Sequence, residues 1–564
     1  MSFNTIDYIV FASYILLVAI IIYSKKTRKE NQKPSDSNSK KSGLSWITVG
    51  ASLFASAIGT EHVIALSGAG AQGNFVFSQF EILAVFMLLA LGWIFAPYYF
   101  KAGVFSMPDF LEKRYSESSR KYLILVSIVT YIIAKISLIL FAGAKVIEVF
   151  LGLDFWSSTI FIIGLTGLIS FFIKIKDTLT INYLQIFLML LGAVSISFLG
   201  VQHLGGFGGL KSALAQQSSI NPTDFFNLWR STSHSEFPWP AIVLGAPILG
   251  IWFWCADQYI VKRVMAAKDL SEARKGTIFA GFLKLFSGTT LLFPGIVVFA
   301  ICSSEATNFE AGFNVLANSE ASFPMAIKHL LPTGLKGLIF GALIVGLVSS
   351  LSSVFSSCSS LYLKDFYLKE NPKADSSKIS SVDQTVTIIM IFLAIIWLPV
   401  LKFMTESNGL YYSLQQIQAY VSPPIAAVFI FGVFYKKANS KGAIYALIIG
   451  GIIGVVKLSL DILTIGFNKS GIDPILPIST DGFMYSVMSI NYLYYAFIMF
   501  VISSLIMLFY SKETATAAEE TQTSRLIYQR DKSSSRKTGD VVWSILVVLA
   551  LIAIWILFST SGIA

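Results

Sequence analysis

Long apolar runs alternate along the chain with short polar connections, many of them basic. Fourteen such runs fall near 7 to 24, 45 to 73, 76 to 100, 122 to 150, 157 to 173, 179 to 203, 239 to 261, 276 to 303, 335 to 363, 384 to 401, 408 to 435, 442 to 464, 490 to 511 and 541 to 560. About 20 apolar residues suffice to cross the hydrocarbon as a helix, the conformation that satisfies its own backbone groups there. The pattern predicts an all-α integral membrane protein of about 14 transmembrane helices. The first run lacks a basic lead and a small-residue cleavage site, so it reads as a retained span.

Two runs are not uniformly apolar. The second reads WITVGASLFASAIGTEHVIALSGAG, with Gly50, Gly59, Gly68 and Gly70 and with Glu61 and His62 near mid-depth. Glycine weakens helix continuity and a polar pair at that depth needs partners, which predicts a break near Ile58 to Thr60. Five spans later, 239 to 261 repeats the pattern with Gly245, Gly250, the aromatic run IWFW, Cys255, Asp257 and Gln258. Paired interruptions point to a transporter of two inverted five-helix repeats with its site between them. Close packing of glycine-rich membrane helices produces similar composition, so both readings stand at this point.

This pattern divides the chain into an N-terminal helix with a basic loop (1 to 44), a first repeat (45 to 203), an outer loop (204 to 238) and a second repeat (239 to 435). Additional helices (436 to 511), a flexible cytoplasmic linker (512 to 540) and a last helix (541 to 564) follow.

Composition agrees. Of 564 residues, 55% are hydrophobic and 13% charged, which excludes a water-soluble enzyme, a collagenous chain and a disordered one. A formal charge of +10 suggests a polyanionic partner until its placement is considered. Alternate connections hold 32 of the 42 Lys and Arg residues. By the positive-inside rule that face is cytoplasmic, so both termini lie outside a plasma or inner membrane, and the charge reports orientation in a lipid bilayer, not nucleic-acid binding. Cys255, Cys302 and Cys358 have no paired spacing for a disulfide framework or a zinc site.

Segment 335 to 363 carries eight serines after Val348, with Ser349 and Ser350 one turn beyond Gly346. Most serines in membrane helices bond back to their own helix. Two adjacent hydroxyls beside unwound carbonyls nevertheless suit sodium, and an all-neutral site suits an ion that must also be released. No phosphate-binding loop appears, since GGFGGLKS lacks the Gly-Lys step, and no nucleophile-base pair is evident. These features predict a secondary active transporter driven by an ion gradient, not an enzyme.

Six motifs occur in order: GASLFASAIGTEHVIALSGAG, KAGVFSMPDFLEKRY, WFWCADQYIVKRVMAAKDLSEARKG, GFLKLF, LPTGLKGLIFGAL followed by VSSLSS, and QQIQAYVSPPIAAVFIFGVFYKKANSKGA. Together they resemble the sodium/glucose cotransporter branch of the solute:sodium symporter family. The resemblance implies a LeuT-type 5+5 inverted-repeat core with one extra N-terminal and three extra C-terminal helices. It implies symport of a hexose-type sugar with sodium by alternating access. Sodium would meet the carbonyls of Ala55, Ile58 and Gly346 and the hydroxyls of Ser349 and Ser350. Sugar would meet His62, Glu81, Lys284 and Gln415, a mixed donor and acceptor set suited to hydroxyls. Phe253 and Trp254 would form a platform under the ring, with Leu66, Phe80 and Tyr411 closing from outside.

Four positions depart from the branch. Ala57 replaces a common asparagine, Gly250 a polar residue, Phe253 a gate tyrosine and Asn182 an aspartate, which favours a 1:1 ratio. The rivals are symport of another solute such as myo-inositol or sialic acid, and a membrane sugar sensor that binds without transporting. The alternative for Glu81 and Lys284 is a structural ion pair.

Overall fold

The computed structural model describes residues 3–30, 43–104, 106–172, 179–216, 225–303, 314–469, 486–487, 489–512 and 538–559. The expected linker falls mainly outside these residues. No strand occurs among the described residues; a single bridge joins Leu44 to Ala267.

The spans in chain order are α1 (Thr5–Glu30), the pair α2 (Trp46–Ala57) and α3 (Thr60–Ala71), α4 (Phe75–Ala102), α5 (Glu117–Leu151), α6 (Phe155–Phe172), α7 (Leu179–His203) and α8 (Trp239–Ala256). They continue as α9 (Gln258–Met265), α10 (Leu270–Ser303), α11 (Ser322–Leu330), α12 (Leu335–Glu370), α13 (Ser376–Asn408), α14 (Leu410–Phe434), α15 (Ser440–Lys469), α16 (Tyr492–Tyr510) and α17 (Thr538–Leu557). Twelve described helices are long and apolar enough to cross a membrane, and α2 with α3 forms a further, broken span bent by 59°. The remaining apolar run corresponds to α6, whose apolar stretch, Phe155–Gly167, is shorter.

The break lies where the glycines and the polar pair predict it. Ile58 leaves α2 in an extended conformation (φ −123°, ψ 96°), and Gly59 starts α3 (φ −98°, ψ 177°). The last carbonyls of α2 and the first amides of α3 therefore lose their intrahelical partners at mid-span. The second interruption takes a different form. α8 ends in a π-helical turn over Ile251–Ala256, and extended Asp257 caps α9 by accepting from the Tyr259 amide at 2.7 Å.

α10 is the central post, packed on α2, α3 and α4. Small residues allow this approach: a Cβ on Gly288 would lie 2.8 Å from Glu81 Cβ, and one on Gly295 only 1.7 Å from the Ser67 carbonyl. α1 packs on α12, α14 to α16 pack together, and α17 lies against α10.

Candidate functional site

The two interruptions border one cavity of about 150 Å³. Its wall takes Ala55, Ile58, Glu61 and His62 from the broken span, Glu81 from α4, Lys135 from α5 and Asn182 from α7. Phe253 and Trp254 come from α8, Lys284 from α10, Ser350 from α12, and Tyr411 and Gln415 from α14.

Glu81 is the hub of the polar wall. Its Oε2 accepts from the Lys284 ammonium and, at 3.3 Å, from the Ser287 hydroxyl. Its Oε1 accepts from His62 Nε2 at 3.0 Å and from the Tyr411 hydroxyl at 3.3 Å. An ionised carboxylate only accepts, so this contact requires a proton on His62 Nε2. Lys284 also stands 5.5 Å from the centre of the Trp254 ring. Gln415 interacts with Tyr411, extending the network along α14. All four expected sugar residues thus share one cavity.

The aromatic expectations divide. Phe253 and Trp254 meet edge to face at 5.0 Å on one wall. Phe80 and Tyr411 lie 6.3 Å apart, bridged by Phe77 at 6.1 and 5.1 Å. Leu66 is fully buried in the hydrophobic core and does not line the cavity.

The expected sodium residues also divide. Ala55, Ile58 and Ser350 line the cavity. Behind them, a Cβ on Gly346 would strike Gln185 Nε2 and Thr60 Oγ1. Gln185 donates to Thr60 at 3.1 Å, and Thr60 donates to the Leu343 carbonyl at 3.3 Å. Ser349 donates to Asn182 Oδ1 at 2.9 Å and borders a separate apolar cleft beside α1.

Sequence reasoning placed Asp257 at the second interruption but missed its partners on α5. The Tyr131 hydroxyl donates to Asp257 Oδ1 at 3.1 Å and Lys135 to Oδ2 at 3.5 Å. Lys135 stands 4.5 Å from the Tyr131 ring centre, 5.7 Å from Phe253 and 4.9 Å from Tyr259. Its charge inside a span was the available signal.

Residues 41–450 match the description of the Sodium:solute symporter family. The chain belongs to that family. The sodium/myo-inositol cotransporter of Canis lupus familiaris is 30% identical over 543 residues, covering 92% of this chain and 74% of that one. Sodium/glucose cotransporter 1 of Oryctolagus cuniculus is 33% identical over 482 residues, covering 81% and 71%. A solved structure of a Na+-coupled sialic acid symporter, in a substrate-bound outward-open state, aligns with a TM-score of 0.66 at 20% identity, covering 91% and 99%. The symporter therefore has the LeuT-type fold that its motifs imply, and it is a transporter, not an enzyme.

Proposed function

We propose that this symporter couples inward sodium movement to uptake of a hexose-type sugar by alternating access. The observation that carries the reading is the cavity-lining constellation of Glu81, His62, Lys284 and Gln415 beside the broken span of a sodium:solute symporter. The constellation offers an acceptor, a donor and two groups able to act as either, as a polyhydroxylated ring requires. Phe253 and Trp254 supply an apolar surface for the C–H face of the ring. The named relatives, cotransporters of glucose and myo-inositol, support the same solute class.

In this reading residues 45 to 203 and 239 to 435 are the two inverted repeats, and both termini lie outside. Sodium enters between the carbonyls of Ala55 and Ile58 and the hydroxyls of α12, holding the broken span against α12 and setting His62 for the sugar. The sugar then bridges the repeats through Glu81 and Gln415. Phe80 and Tyr411 close one end, the repeats rock, and sodium loss to the cytoplasm releases both. At about 100 mV one charge contributes about 2.3 kcal/mol. A tenfold sodium gradient adds about 1.4 kcal/mol. Together these sustain a solute ratio on the order of several hundred by the same factor-of-ten rule.

The test is uptake into proteoliposomes with and without an inward sodium gradient, across glucose, galactose, myo-inositol and sialic acid. Sodium-driven glucose or galactose accumulation is expected. Accumulation of inositol or sialic acid alone would replace the solute, and solute binding without sodium-stimulated uptake would leave a sensor.

A further inference from the structure

Glu61 belongs to neither ligand set above, yet it stands on the wall of the same cavity. It occupies the first turn of α3, just past the break. Its carboxylate folds back over the break so closely that a Cβ on Gly59 would lie 2.2 Å from Oε1. Oε2 is buried and has no hydrogen-bond partner among the described residues. The Ser350 hydroxyl reaches the same carboxylate from α12. Glu61 and Ser350 therefore face the same cavity between the broken helix and α12, together with Ala55 and Ile58, which are expected to hold sodium.

Glu61 makes no ion pair among the described residues. The neighbouring cations are engaged elsewhere: His62 lies 3.0 Å from Glu81, and Lys135 lies 3.5 Å from Asp257. A carboxylate inside a span is costly and calls for a counter-charge. The adjoining C-terminus of α2 presents carbonyl oxygens and the negative end of a helix dipole, both of which favour a cation. A sodium ion in this gap would satisfy the carboxylate and the carbonyls together.

We propose that Glu61 is a direct, anionic ligand of the coupling sodium ion, acting with Ser350 and the carbonyls of Ala55 and Ile58. The inference rests on the sodium-symport reading and replaces its all-neutral ion site with one carrying a fixed negative charge. It gives Glu61 a function in binding the driving ion, separate from the solute network around Glu81.

The test is equilibrium binding of radiolabelled sodium to the purified full-length protein, at ionic strength held constant with choline, for wild type, Glu61→Gln, Glu61→Asp and Ser350→Ala. Glu61→Gln is expected to raise half-saturating sodium at least tenfold, with Glu61→Asp intermediate, and sodium should no longer raise the melting temperature of Glu61→Gln at concentrations that stabilise wild type. If Glu61→Gln binds sodium like wild type while Ser350→Ala does not, the proposal falls and the symport reading stands. If wild type itself binds no sodium, both fall. Should Glu61→Gln fail to fold, wild-type sodium affinity in Glu61→Asp overturns the proposal.

Discussion

Lys284 and Glu81, 203 residues apart in the chain, form an ion pair that joins α10 to α4 inside the bundle, with relative exposures of 1% and 5%. The same carboxylate also receives His62, Ser287 and Tyr411, so two oxygens hold groups from α3, α10 and α14. If Glu81 is to accept from a solute hydroxyl, as proposed, one of these donors would have to be displaced. The Ser287 and Tyr411 contacts, both at 3.3 Å, are longer than the His62 contact and are the first to yield.

Removing one member of this pair leaves the other as a buried, uncompensated charge, at a cost of about 3 to 5 kcal/mol. Lys284→Met is expected to lower the melting temperature and abolish uptake. The double variant Lys284→Met with Glu81→Gln should recover stability without recovering uptake. Melting curves and uptake of all three proteins separate the two roles, and a Lys284→Met protein that melts like wild type would show that the pair does not hold the bundle.

Gln415 is one neutral contact in a site dominated by charge. A net hydrogen bond contributes about 0.5 to 1.5 kcal/mol, so Gln415→Ala should raise the half-saturating solute concentration by about 2- to 12-fold. The half-saturating sodium concentration, measured at saturating solute, should stay at the wild-type value. Concentration series in both ligands check this.

The parts of the site legible in the sequence were those with a local cause. Glycines around a polar pair marked the break at Ile58 and Gly59, and the family resemblance marked Glu81 and Lys284. Facing was less legible, because it depends on helix rotation against neighbours. Ser349 and Ser350 are adjacent in one helix and differ in surroundings: Ser350 lines the cavity, while Ser349 donates to Asn182. Leu66 belongs to the same motif as His62 yet lies in the core. The donors Ser287 and Tyr411 meet Glu81 only because α4, α10 and α14 converge there.

Gly288 tests that convergence. A Cβ there would lie 2.8 Å from Glu81 Cβ and 3.2 Å from the Ser78 carbonyl, so Gly288→Val must push α10 from α4. Overpacking of this kind costs about 1 to 3 kcal/mol. Uptake and melting temperature should both fall. Gly281→Ala on the same helix is the control, since its nearest neighbour would be Val85 Cγ1 at 3.7 Å, an ordinary contact.

Outside the spans, Glu320 accepts from the Leu410 amide at 2.8 Å, next to the Gln72 to Ser319 bond at 3.1 Å. Burial raises its carboxyl above the usual carboxylate range despite that bond. A folded-state value above the unfolded one stabilises the fold at pH below the ordinary carboxylate value, and that contribution disappears as pH rises through the raised value. Glu320→Gln should therefore melt at or above the wild-type temperature at neutral pH, with any gain shrinking as the pH falls toward the usual carboxylate range. Melting temperatures across that window check the sign, and a neutral-pH loss exceeding that at low pH would show that the charged form is preferred in the fold.

A second buried ion pair lies away from the cavity. Lys457 and Asp461, each 3% exposed, lie one turn apart on α15. Asp461 also accepts from the Tyr420 hydroxyl and, at 3.1 Å, from Gln416 Nε2, which lies 2.9 Å from the Tyr420 hydroxyl. Gln416 follows Gln415 on α14, but consecutive helical positions point about 100° apart. Gln415 lines the cavity and Gln416 does not, so the network ties α14 to α15 from behind the site. Asp461→Asn takes the carboxylate away from a buried ammonium, so a loss of about 3 to 5 kcal/mol is expected in the melting transition. Half-saturating sodium should be unchanged in the protein that remains folded, because no expected ion ligand belongs to this network. A shifted sodium requirement at wild-type stability would instead place Asp461 on the ion path.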